Sequence, residues 1–318
     1  MRALMIALVL CLAAGAAQAE YPDKPVRIIV PFIAGSAPDV AARQAAARLT
    51  AGLGQQFIVE NKPGVAGSLG AEVAARAAPD GYTLLLFTSS HVLNKFLYAK
   101  LNYDALKDFT PITIVTRIPS LMVVPPSSPA KSVGEFVALA KSMPGKLNYG
   151  SGGVGTLAHL SAEAFRLATG IDYIHVPYKG APDIVLALLS KQIDVGFPTM
   201  PTAVRAAQQG TLRALAVTST KRTAAMPDVP TLLEAMPSGG FALDAWLGLA
   251  APAGTPQAIV DRIYATLADA VKDPAFREQL GNDGSEVVID TPADFAAQVK
   301  DDAKEGEALI KRVGVKLE

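Results

Sequence analysis

Residues 26–54 read VRIIVPFIAGSAPDVAARQAAARLTAGLG, and this stretch decides the fold class. Residues 26–32 are β-branched or apolar and bounded by prolines, the pattern of a buried strand. Over 39–53, Ala, Val and Leu recur at helical spacing, and Gly52 and Gly54 provide a stop. A buried strand passing through a short loop into a helix is the unit of an α/β fold with largely parallel sheets.

The alternation continues outward from that unit. Strands are predicted at 56–60, 82–87, 120–124, 147–149, 173–176, 195–197, 214–217 and 245–251. Helices are predicted at 68–78, 132–142, 156–169, 182–190, 202–209, 256–272, 274–281 and 292–312. Ser132 and Glu135 stand in capping-box spacing at the start of one of them. The stretches 120–125 and 241–252 read as crossings between two lobes. One lobe is then 20–120 with 241–318, and the other is 121–240. A lobe inserted into another through two crossings makes a hinged cleft, which suits capture by closure.

The first residues set the compartment. Arg2 is followed by an apolar run from Ala3 to Ala14, and Ala17-Gln18-Ala19 has the small-x-small pattern of a cleavage site. A secretory leader at 1–19, cleaved after Ala19, and a periplasmic location are therefore expected. Cys11 is the one cysteine, so the mature chain has no disulfide, thiolate metal site or cysteine nucleophile. The 29 basic and 29 acidic residues balance, and no basic stripe appears, which argues against a nucleic-acid partner.

Two glycine-bearing loops lie between a strand and a helix: 31–39 and 150–156. Such a loop offers backbone N–H groups and the positive end of a helix dipole, an anion site without a charged side chain. If the loops face each other, they hold two ends of one anionic ligand. A third loop, Thr88-Ser89-Ser90-His91, lies at the carboxyl edge of a parallel strand, where ligands of open α/β sheets collect. Gly150-x-Gly152-x-x-Gly155 matches a dinucleotide fingerprint and leaves a secreted enzyme as the alternative, but it lies in mid-chain with Asp172 on a turn. The histidines at 91, 159 and 175 have no metal-ligand spacing, and no Gly-x-Ser-x-Gly elbow is present. No catalytic residue, metal or cofactor is expected. Trp246 reads as hinge-region core, and Lys179 as a solvated side chain at the cleft rim.

Particular runs carry a family resemblance over nearly the whole mature chain. They include Pro31-Phe32 with Ala34-Gly35 and Asp39, Val59-Glu60-Asn61-Lys62-Pro63-Gly64, and Ala78-Pro79-Asp80-Gly81-Tyr82. Others are His175-Val176-Pro177-Tyr178-Lys179-Gly180 and Ala251-Pro252-Ala253-Gly254-Thr255-Pro256. With these the chain resembles the tripartite tricarboxylate transporter receptors, the Bug family of periplasmic solute-binding proteins. The resemblance implies a type II periplasmic-binding-protein fold, two α/β lobes joined by two crossing segments around a ligand cleft. It implies a monomeric receptor that hands a small carboxylate, a di- or tricarboxylate or an aromatic one, to the membrane permease subunits of such a transporter. A carboxylate sensor feeding a signalling partner is a further alternative.

By the resemblance, main-chain groups of the two glycine loops hold a carboxylate. The site candidates are Ala34, Gly35, Ser36, Asp39 as helix cap, Ser151, Gly152, Gly153 and Thr156. Thr88, Ser89, Ser90, Pro198 and Thr199 are candidates for specificity. The family's glycine pair is Gly35-Ser36 here, which either loosens backbone approach or adds a hydroxyl donor. Where relatives carry an acidic residue after strand 195–197, this chain has Pro198, which argues against an amino-acid ligand.

Overall fold

The computed structural model describes residues 21–281 and 284–314. The expected leader and Cys11 lie outside the described residues. Two mixed sheets organise the chain. The first holds β1 (Val26–Val30), β2 (Phe57–Asn61), β3 (Thr83–Thr88), β4 (Phe109–Ile118), β10 (Ala245–Pro252) and β11 (Glu286–Val287), in the order β11-β4-β10-β3-β1-β2. The second holds β5 (Leu121–Val124), β6 (Asn148–Ser151), β7 (Ile174–Pro177), β8 (Val195–Gly196) and β9 (Arg213–Val217), in the order β7-β6-β8-β5-β9.

Helices follow the strands: α1 (Ala37–Leu53), α2 (Ser68–Ala75), α3 (Ser89–Leu97), α4 (Val133–Ser142), α5 (Leu157–Thr169) and α6 (Ala181–Leu189). They continue as α7 (Met200–Gln208), α8 (Leu232–Ala235), α9 (Gln257–Ala270), α10 (Pro274–Gly281) and α11 (Pro292–Val313). None of the described helices is long and apolar enough to cross a membrane.

The sheets are mixed and not largely parallel, and connectivity gives the reason. β1 pairs in parallel with β2 and β3, and β6 with β7 and β8. β4 leaves the first sheet at Ile118, and β5 begins the second at Leu121, directly after Pro119-Ser120. A strand that enters from the crossing runs away from it. β10 therefore lies antiparallel to β3 and β4, and β5 antiparallel to β8 and β9. The same geometry turns the carboxyl ends of β1 and β3, and of β6 and β8, toward the crossings.

Four elements are absent from the predicted set: β4, β11, α3 and α8. β4 contains Pro111, which demotes a run to non-strand on sequence grounds. Here Pro111 pairs opposite Ala250 beside a register shift, so a bulge absorbs the missing donor. α3 is short and begins with polar residues, so its start read as a loop.

The β3 run TLLLFT is buried throughout because both faces of the first sheet are covered. Leu84 and Leu86 join Val26, Ile28, Leu49 and Ile263 on one face. Leu85 and Phe87 join Trp246 and Phe295 on the other. In the second sheet Met122 and Val124 pack with Phe136, Phe165 and Phe197, while Leu121 and Val123 meet Ile184 and Leu188. A smaller cluster joins Leu97 of α3, Leu160 of α5 and Ile310 of α11, so the C-terminal helix touches elements of both sheets.

Thr218, fully buried, ties the two crossings together. Its Oγ1 accepts from Ser120 N at 2.8 Å and donates to Asp244 Oδ1 at 2.9 Å, and its N–H donates to Ser120 O at 3.0 Å. Thr218→Val keeps the shape but orphans the Ser120 N–H and one lone pair of Asp244. It is expected to lower unfolding free energy by about 2 kcal/mol in urea titrations, and Thr218→Ser by much less. Equal losses in the two variants would show that the methyl group, not the hydroxyl, matters.

Candidate functional site

At the carboxyl edges facing the crossings, strands pass directly into helices: β1 into α1, β3 into α3, β6 into α5, β7 into α6 and β8 into α7. Each junction brings a helix N-terminus to that edge, with first-turn N–H groups that have no intrahelical acceptor.

In the first loop Gly35 adopts φ +79°, where a Cβ is strained. Ser36 is the N-cap of α1 at φ −72° and ψ 161°, extended backbone open to any residue. The second glycine of the family pair is therefore dispensable here. The Ser36 hydroxyl does not add a ligand donor, because it donates to Ile33 O at 2.7 Å. It caps nothing, and α1 has no side-chain cap. First-turn N–H groups of Ala37 and Asp39 are left without one, a feature that glycine counting on the sequence missed.

Asp39 is not the helix cap but lies inside the first turn, buried at 2% exposure. Its Oδ2 accepts from Gly35 N at 2.9 Å and from Arg43 Nε at 2.9 Å, and its Oδ1 accepts from Asn61 Nδ2 at 2.8 Å. The same Asn61 amide donates to Phe32 O at 3.1 Å. Desolvation pushes the Asp39 carboxyl up, but these hydrogen bonds and the Arg43 charge outweigh it and hold it at about 2. Both oxygens are thus engaged within the protein, and Asp39 shapes the loop.

In the second loop a side chain, that of Thr156, caps the helix. Ser151, fully buried, accepts from Gly153 N at 3.1 Å through Oγ, which also lies 2.6 Å from His175 Nε2. Gly155 N donates to His159 Nδ1 at 3.3 Å, and Thr156 Oγ1 caps α5 by accepting from His159 N. Gly153 lies at φ +112°, and a Cβ on Gly152 would stand 3.3 Å from the Gly180 Cα. Behind this loop His159 and His175 lie 4.6 Å apart, and His175 stacks on Tyr149 at 4.8 Å. Tyr149 donates to Glu163 Oε1 at 2.7 Å, and Glu163 pairs with Arg166. Burial, with His175 beside it, pushes the His159 imidazole down to about 4, and burial also lowers His175.

The third stretch is a helix start. Thr88 is the N-cap of α3, and His91 Nδ1 accepts from Thr88 N at 3.0 Å in a capping box. Thr88, Ser89 and His91 are buried, leaving Ser90 exposed. Pro198 is buried, with its carbonyl accepting from Leu121 N at 2.9 Å. Thr199, the N-cap of α7, pairs its hydroxyl with that of Thr202 at 3.1 Å. Lys179 is exposed, as read from the sequence, and Trp246 is core at 1% exposure, donating through Nε1 to Asp302 Oδ2.

A cavity of about 930 Å³ lies elsewhere, between α3, α5, α11 and the segment 239–246. Of the candidate site residues it reaches Ser89 alone. Its wall carries Asp244, Asp301, Asp302 and Glu305 against Arg117 and Arg312, a negative excess that disfavours a carboxylate. Burial raises Asp244 to about 6 despite the Thr218 hydrogen bond and the Arg117 charge. Among the described residues no group of His, Cys, Asp and Glu could hold a metal ion.

Comparison with known proteins agrees with this architecture. The chain is similar to the solved periplasmic binding protein BugD, at 33% identity and TM-score 0.75, covering 93% of this chain and 99% of that one. It is similar to a protein of R. palustris solved with adipate, at 32% identity and TM-score 0.79, covering 93% and 99%. It is also similar to MatC of Rhodopseudomonas palustris with bound malate, at 32% identity and TM-score 0.74, covering 91% and 100%. The two-sheet fold is thus that of the periplasmic binding proteins. The model of the tripartite tricarboxylate transporter family receptor matches residues 41–315, and the chain belongs to that family of solute-binding receptors.

Proposed function

We propose that this chain captures a small carboxylate between its two lobes and delivers it to the permease subunits of a tripartite tricarboxylate transporter. It acts in the periplasm as a monomer, after loss of residues 1–19, and performs no chemistry on its cargo. One lobe comprises 20–120 with 241–318, and the other 121–240. The observation that carries the reading is the uncapped start of α1 beside the Gly35 turn, at an edge that topology turns toward the second sheet. Ala34 to Asp39 would meet the carboxylate through main-chain N–H groups, and Ser151 to Thr156 would close from the other side. Ser90 and Thr199 stand at neighbouring junctions. The relatives solved with adipate and malate support a carboxylate as cargo.

A thermal-shift panel of carboxylates tests the reading. A ligand at 100 times its dissociation constant is expected to stabilise the protein by about 2.7 kcal/mol. No stabilisation by any carboxylate would sink the proposal, and turnover of a stabilising ligand would favour an enzyme. Capture of permease subunits in a membrane pull-down tests delivery, with recovery of a sensor kinase as the contrary result.

A further inference from the structure

We infer that Asn61 and His175 are a matched pair of positioning residues, one for each sheet, that set carboxylate affinity without touching the ligand. The inference rests on the carboxylate reading above and names the side chains that hold its two loops in shape.

Both junctions leave donors for an anion. The first-turn N–H groups of Ala37 and Asp39 in α1, and of Leu157 and Ala158 in α5, have no acceptor among the described residues. Where those donors point is set by the turn in front of each helix, and a hydrogen bond weakens steeply once misaligned. Each turn passes through a left-handed glycine, Gly35 at φ +79° and Gly153 at φ +112°. Glycine permits that conformation but does not enforce it, because it has the most backbone freedom to lose.

The enforcement is built alike in the two sheets. The N–H of the left-handed glycine donates to a buried side chain of its own loop: Gly35 N to Asp39 Oδ2 at 2.9 Å, and Gly153 N to Ser151 Oγ at 3.1 Å. That acceptor is in turn bonded by a side chain from the neighbouring strand. Asn61 Nδ2 donates to Asp39 Oδ1 at 2.8 Å, and His175 Nε2 lies 2.6 Å from Ser151 Oγ. Asn61 stands on β2 and His175 on β7, the edge strands of their sheets. Each of these strands pairs in parallel with the one that runs into the loop, β2 with β1 and β7 with β6.

The two relays suit their acceptors. Asn61 also donates to Phe32 O at 3.1 Å, so it grips the first loop at two points. With its own proton on Nδ1, His175 takes the Ser151 hydroxyl proton at Nε2 and leaves the oxygen lone pairs for Gly153 N. The other acceptor for that proton, Gly153 O, is farther away at 3.2 Å and already accepts from Thr156 Oγ1 at 2.7 Å. Asn61 and His175 are half-buried, and each acts through an acceptor that is 2% exposed or less.

Calorimetry with adipate, malate, citrate and benzoate tests the pair. His175→Phe keeps a ring against Tyr149 but has no nitrogen, and Asn61→Leu keeps the shape but has no donor. Each is expected to weaken the tightest-binding of the four acids at least about tenfold. His175→Gln, whose amide can still meet the Ser151 hydroxyl, is expected to stay within about threefold of the parent protein. Ser151→Ala breaks the same relay, so on that background His175→Phe should add less than about twofold, while Asn61→Leu keeps its full effect. Equal affinity in the Phe and Gln variants, whether both keep it or both lose it, overturns the inference and leaves the carboxylate reading standing. So does a loss from His175→Phe that persists in full without the Ser151 hydroxyl. Should His175→Phe fail to fold, normal affinity in Asn61→Leu or Ser151→Ala overturns the inference. Binding of none of the four acids by the parent protein overturns both.

Discussion

Asp39→Asn is expected to lower unfolding free energy by about 2–4 kcal/mol and to weaken ligand binding at least about tenfold. The carboxylate accepts three bonds, from Gly35 N, Arg43 Nε and Asn61 Nδ2. An amide can accept at one position only. Its NH2 must then face another donor, either the Asn61 amide or the Gly35 and Arg43 pair, and the left-handed Gly35 turn is released. Arg43→Ala is the control. The Arg43 side chain is 52% exposed, so water replaces much of its pairing, and the expected loss is small beside that of Asp39→Asn. Urea unfolding measures both. Equal losses would mean that charge pairing, and not the three-donor cradle, stabilises the loop.

The Asp39 cradle also has an acid signature. The folded carboxyl sits at about 2, below its ordinary 3.8. Its stabilisation is complete above the unfolded value and is lost as pH falls from about 3.8 toward 2. Asp39→Asn should therefore flatten the stability curve in that window.

The second large effect is an acid limb at higher pH, carried by two buried histidines. Burial pushes His91 down to about 4, and burial with the neighbouring His175 does the same to His159. Both are neutral in the fold, with ordinary values near 6.5 when unfolded. The unfolded chain thus binds more protons between about 6.5 and 4. Stability is full above 6.5 and falls as pH drops toward 4, by up to about 3 kcal/mol for each group. Protonation also destroys specific bonds: His91 Nδ1 accepts from Thr88 N, and His159 Nδ1 accepts from Gly155 N. His91→Gln can still accept from Thr88 N. It is expected to cost about 1–2 kcal/mol at pH 7 while making the acid limb shallower. Denaturant midpoints from pH 7 to 4 check this, and parallel curves for the two proteins would exclude His91 as a titrating group.

Much of the local structure was legible without coordinates. The strand and helix of residues 26–54, the Ser132 cap and the Thr156 cap all follow from side chains within a few positions of one another. Helical period, strand composition and capping chemistry are local, so they survive in the bare sequence. The position of the two anion-competent loops was legible for the same reason, since a glycine-bearing strand-to-helix turn is a short-range signal.

The loop donors find acceptors within four positions, Gly35 N at Asp39, Gly153 N at Ser151 and Gly155 N at His159. The side chains that hold two of those acceptors in place come from afar and were not legible. Asn61 reaches Asp39 across 22 positions, and His175 reaches Ser151 across 24. The sequence shows two similar glycine loops; the first leads into a helix with no side-chain cap, and the second into one capped by Thr156. Pro198 read as a ligand position, but packing at the crossing buries it and gives its carbonyl to Leu121. Strand direction was decided in the same way. Nothing within β5 or β10 says that it runs antiparallel; entry from the crossing does. The sequence by itself determined which segments are strands, helices and anion-competent turns, because those depend on near neighbours. Only the tertiary structure decided how the acceptors in those turns are held, because Asn61 and His175 are brought to Asp39 and Ser151 by the fold.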